Sequence, residues 1–212
     1  MKKSEIIILG IILISFIIGI YFYSQMPDIT ASHWNTKGEV DGYMSKFWGV
    51  FLFPIILVGL LLIFVLIPKI DPLKENIKKF RKYFDSFIVL ITIFLFYIYC
   101  ITLAWNLGKR FDINVFILPA IGIIFYYAGV LMENAKRNWF IGIRTPWTLS
   151  SDNVWDKTHK IGSKLFKIAG IISFMGILFP KYVIFLILGS AIFTVIYTMV
   201  YSYLEYKKEM RN

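Results

Sequence analysis

At 212 residues, with 58% hydrophobic side chains and a mean hydropathy of +0.69, the chain is too apolar for an ordinary soluble domain. Its formal net charge of +10 would suit nucleic acid, but the Lys and Arg residues cluster at the ends of apolar runs, where topology and anionic headgroups account for them. Direct nucleic-acid binding is therefore excluded, and the single cysteine, Cys100, excludes an internal disulfide.

The pattern predicts an all-α, polytopic membrane bundle of six transmembrane helices. The first run, Ile6 to Tyr23, is long enough to cross the hydrocarbon core and has no small-x-small cleavage site, so it reads as a retained anchor. A polar loop over 24–46 follows, with Pro27, Gly38 and Gly42 as turn makers. The second span, Phe47 to Ile67, carries Pro54 as a predicted kink and stops at Pro68. Asp71-Pro72 then reads as the start of an amphipathic interfacial helix over 71–84. Its apolar side is Leu73, Ile77, Phe80 and Phe84, and lysines crowd the other side.

Phe87 to Trp105 and Val115 to Met132 form the third and fourth spans, joined by the short turn 106–114. The polar segment 138–166 leads through an amphipathic helix into a fifth span, Leu165 to Phe179. A Pro180-Lys181 turn and a sixth span, Tyr182 to about Tyr203, complete the bundle. The chain thus divides into a two-span unit over 1–68 and a four-span unit over 69–212. Eighteen of the 23 Lys and Arg residues lie at the termini, near residue 75 or near residue 150. That bias places both termini, the 71–84 helix and the 138–166 segment in the cytoplasm, and the 24–46 loop outside.

Two polar segments hold the candidate site residues. Outside, His33, Asn35, Gly38 and Asp41 could form a loop closed by its own hydrogen bonds or, with Glu39, a weak cation site. The two histidines fall on opposite sides of the bilayer, and neither loop has the ligand spacing of a structural site, so no metal and no cofactor is expected. No span carries a mid-depth charge of the kind a proton-coupled transporter uses. The inner segment offers Asn138, Gly142, Arg144, Thr145, Pro146, Trp147, Trp155 and His159.

Trp139, Trp147 and Trp155 suit an interfacial belt, while Ser150, Ser151 and Asp152 supply helix-starting oxygens. Trp155, Asp156 and His159 share one helical turn, where His159 is either a hydrogen-bonded imidazole or a base. Arg144, beside Trp147, presents a planar fork of donors. Two roles stand open for it: clamping a carboxylate, lipid phosphate or peptide C-terminus, and closing the loop on Asp152 or Asp156.

The run from Asn138 to Trp147, followed by Trp155 to His159 and Gly162, resembles the SdpI family of bacterial membrane immunity proteins. Met26-Pro27, His33 to Asn35, Gly38, Asp41-Gly42 and Ser45-Lys46 similarly resemble the domain of unknown function that precedes this motif in the family, with Ala31 where a proline is expected. The resemblance implies a six-span, non-enzymatic protein that protects its producer from a secreted, membrane-active peptide toxin met at the outer face. It also implies a signalling role, in which a small cytoplasmic repressor is held at the membrane. A small-molecule or lipid transporter, and a membrane enzyme using Arg144 and His159 on a lipid, remain the alternatives.

Overall fold

The computed structural model describes residues 2–176 and 182–211. Among the described residues there are eight helices: α1 (Lys3–Tyr23), α2 (Lys46–Ile70), α3 (Lys74–Lys79), α4 (Arg81–Asn106), α5 (Ile113–Asn134), α6 (Pro146–Ser150), α7 (Asp152–Met175) and α8 (Val183–Glu209). Five of them, α1, α2, α4, α5 and α8, are long and apolar enough to cross a membrane. A helix pairs most of its backbone N–H and C=O groups within itself, as a lipid solvent demands. The sequence-predicted fifth span begins inside α7, which runs unbroken out of the polar segment. Its last residues and the Pro180-Lys181 turn lie outside the described residues.

Three expectations need correction. The 24–46 loop is a β-hairpin, β1 (Ile29–Trp34) against β2 (Val40–Ser45), so the fold is helical with one small antiparallel sheet. Both strands mix β-branched and aromatic residues with polar ones, and Gly38 turns the chain at φ +77°, a value open to glycine at little cost. Second, α2 continues past Pro68 to Ile70. Third, the 71–84 segment is not one helix. The six-residue α3 ends at Lys79 with Phe80 as its C-cap, and α4 begins at Arg81. Ile77, Phe80 and Phe84 are buried in protein, so the apolar side that would have faced lipid is spent on the fold.

The chain forms two compact units, each drawn from two stretches of sequence. One comprises Met1–Phe64 and Ile88–Ile117. Met26, Val50, Tyr99 and Leu103 form its core, with Phe51, Phe96 and Cys100 packed around them. The Tyr99 hydroxyl donates to the Ser15 carbonyl at 3.1 Å. Its hairpin is anchored by Asn106 at the end of α4, whose Oδ1 accepts from Ala31 N–H (2.8 Å) while its Nδ2 donates to the Ala31 carbonyl (3.0 Å). One side-chain amide thus stands in for a neighbouring strand along β1.

The other unit comprises Val65–Phe87 and Leu118–Asn212. Small residues let its helices approach closely: a Cβ at Gly122 would press on the Gly170 carbonyl, and one at Gly129 on the Ser163 carbonyl. Along α8, Thr194, Thr198 and Ser202 are buried, each bonded to a carbonyl of its own preceding turn.

Candidate functional site

The segment between α5 and α7 is built around a buried amide. Asn138 uses all its capacity: Oδ1 accepts from Phe140 N–H (2.9 Å) and Ile141 N–H (2.6 Å), and Nδ2 donates to the carbonyls of Lys136 and Ile141 (both 2.9 Å). With no solvent to compete, each bond contributes about 1 kcal/mol and each would cost more if left unmade. The neighbouring Trp139 N–H donates to Asp71 Oδ2 at 2.9 Å, while Asp71 Oδ1 accepts from Leu73 N–H at 2.6 Å. Asp71 is therefore no helix cap. It is a buried carboxylate tying the end of α2 to the motif, reinforced by Asn76 donating to the Arg137 carbonyl at 2.9 Å.

Gly142 and His159 form the next layer. Gly142 sits at φ +113°, and a Cβ there would collide with His159 Nε2, so this position demands glycine twice over. His159 is buried and stacked on Trp155, with ring centroids 3.9 Å apart. Its Nδ1 lies 2.9 Å from the Trp155 carbonyl and its Nε2 accepts from Ile143 N–H at 3.0 Å. That pair of bonds assigns the proton to Nδ1 and leaves no nitrogen for a metal or a substrate. Burial lowers the His159 pKa from 6.5 to about 4, against the opposing pull of the Trp155 carbonyl and the Asp156 charge. The imidazole is a neutral structural pin at neutral pH.

Trp155 departs from the interfacial expectation. It is fully buried, and its indole N–H donates to the Ala135 carbonyl at 2.9 Å. Trp147 is half-buried against the Tyr203 ring rather than stacked on Arg144, and only Trp139 stands well out. Thr145 caps α6 through Thr148 N–H (3.1 Å) with Pro146 in the first turn, and its hydroxyl also meets Ser202 at 3.0 Å on α8. Ser151 caps α7 and donates to Glu209 at 2.8 Å.

The charges bear on one of the two roles left open for Arg144, closing the loop on an aspartate. Asp152 pairs with Arg137 at 2.7 Å and Asp156 with Lys136 at 3.2 Å, so neither closes on Arg144. Lys157 pairs with Glu205 and Lys167 with Glu133. Arg144 is exposed, and its guanidinium donates to the Trp139 carbonyl at 2.9 Å. Among the described residues it has no carboxylate partner. Sequence reasoning picked out Arg144 but missed the roles of Asp71 and Ser202, which lie far from the motif in sequence, and of Arg137 and Thr148, whose partners follow from how the segment folds.

In the hairpin the polar groups pair off among themselves. His33 Nδ1 lies 2.5 Å from Asp41 Oδ1, and both side chains are exposed. Asn35 accepts from the N–H groups of Lys37 (2.8 Å) and Glu39 (3.1 Å) and donates to the Glu39 carboxylate at 3.1 Å, which closes the turn at Gly38. Among the described residues no cluster suited to a metal ion forms here or elsewhere.

Comparison with known proteins places these two regions. Residues 134–202 match the model of the SdpI/YfhL protein family, and residues 10–58 match a domain of unknown function, DUF1648. Over 207 residues the chain is 28% identical to the Immunity protein SdpI of Bacillus subtilis (strain 168), covering 97% of each chain. No solved structure gives a significant match. The motif segment thus matches the SdpI/YfhL family, the preceding stretch matches DUF1648, the whole chain is similar to an immunity protein, and the chain is a multi-pass protein of the cell membrane.

Proposed function

We propose that this protein confers immunity to a membrane-active peptide toxin, meeting it through the outer hairpin around His33, Asn35, Gly38 and Asp41, and is not an enzyme. The observation that carries this reading is similarity to an immunity protein along 97% of both chains, which spans hairpin and motif alike. The occupied nitrogens of His159 support it, because an enzyme working through that imidazole would need one of them free. The 138–166 segment lies in the cytoplasm in this reading, with both termini. There it reports or stabilises the toxin-bound state, and it is the surface on which a cytoplasmic repressor would be held.

Deleting the gene from its host and exposing the mutant to spent medium of the parent strain tests the proposal. Killing of the mutant, relieved by the gene in trans, is expected. Equal survival of mutant and parent at every growth stage contradicts it. Orientation is tested separately in a Cys100→Ala background, where an impermeant thiol reagent added to whole cells should label Thr36→Cys and spare Asn153→Cys.

A further inference from the structure

We propose that Trp139, Phe140 and Arg144, together with Lys69 at the end of α2, form a binding site for the phosphate headgroup of an anionic phospholipid. The inference requires only that the chain be a membrane protein and does not rest on the immunity reading. Residues 138–144 are held rigidly by Asn138, Asp71 and His159, all three buried. Yet this rigid turn presents two large apolar rings outward, Trp139 at 50% exposure and Phe140 at 37%. A turn bathed only in water gains nothing from that arrangement, whereas at the hydrocarbon boundary the rings are solvated by lipid.

The charge pattern selects the ligand. Lys136, Arg137, Lys157 and Lys167 each hold a carboxylate within the protein, while the guanidinium of Arg144 has only the Trp139 carbonyl. Its remaining donors call for an anion from outside, and a guanidinium fork fits two oxygens of a phosphate. The Asp71 carboxylate joins this turn to the end of α2, where Ile70 is 57% exposed and Lys69 has no acidic partner among the described residues. Exposed apolar residues continue back along α2 through Leu66, so acyl chains have a surface to follow beneath the headgroup. Two unpaired cations above an aromatic and aliphatic rim suit a phospholipid better than a soluble anion, which would leave the rim unused.

Native mass spectrometry of the full-length protein in detergent, titrated with phosphatidylglycerol or phosphatidylcholine, tests this. One phosphatidylglycerol should bind in preference to phosphatidylcholine. Arg144→Gln should weaken that binding about tenfold, Arg144→Lys nearly as much because the fork is lost, and Lys69→Gln about fivefold. Inorganic phosphate in millimolar excess should not displace the lipid. Should Arg144→Gln fail to fold, the Lys69→Gln/Trp139→Leu double variant gives the answer. Unchanged phosphatidylglycerol affinity in the folded variants overturns the site, and displacement by inorganic phosphate overturns the assignment to lipid.

Discussion

The hairpin and the motif segment use the same few residue types for opposite ends. Each has one histidine, an asparagine organising a turn and a glycine at positive φ. In the hairpin His33 and Asp41 face water, and such an exposed pair contributes little to stability. In the motif His159, Asn138 and Asp71 are buried with their polar atoms committed to backbone partners, where each bond is costly to lose. The difference teaches that in the motif the polar residues are architecture, and that the outward-facing chemistry is left to Arg144 and its neighbouring rings.

Breaking the comparison should be easiest at Gly142. Gly142→Ala imposes both a strained φ and a collision with His159, so it should cost about 4 kcal/mol and be read as loss of folded protein in a detergent thermal melt. The equivalent change at Gly38 should cost about 1 kcal/mol, since the turn is exposed and the collision there is with the movable Asp112 side chain.

Lowering the pH sharpens the contrast next. The folded His159 pKa is depressed, so the unfolded chain binds the extra proton first. The stability at stake is fully present above pH 6.5 and is lost as the pH falls towards 4, by about 3 kcal/mol at most. Thermal melts across this range should show a steeper fall for the wild type than for His159→Gln. A smaller effect is expected at the hairpin's anchor. Asn106→Ala removes both bonds to Ala31 and should cost about 2 kcal/mol, seen as faster proteolysis within 24–46 with α7 and α8 unaffected. Smallest of all, Asp41→Asn should shift stability by under about 0.5 kcal/mol.

The apolar runs made the long helices legible, because length and hydropathy alone decide whether a helix can span. The cap at Ser151 was legible too, since capping is local chemistry, whereas α6 at Thr145-Pro146 stood where the sequence signals a turn. The hairpin is harder to see, because Pro27, Gly38 and Gly42 signal turns while the β-branched and aromatic residues on either side of Gly38 are interrupted by polar ones. Asp71-Pro72 mimics a helix start so well that the long-range bond to Trp139 N–H had no sequence signature. The same limit hid Asn106 and turned Trp155 from a core indole into an expected interfacial one. Each error replaced a contact distant in sequence with a local rule.

The central claim is that Arg144 acts outward from a motif that is otherwise satisfied within itself. The most direct measurement is survival of the deletion strain in parental spent medium when complemented by Arg144→Lys or Arg144→Ala, scored together with membrane abundance and melting temperature. The account predicts that both variants accumulate and melt like the wild type, since no ion pair is broken, and that Arg144→Lys protects almost as poorly as Arg144→Ala because charge without the planar fork is insufficient. Full protection by Arg144→Ala at normal abundance would contradict it.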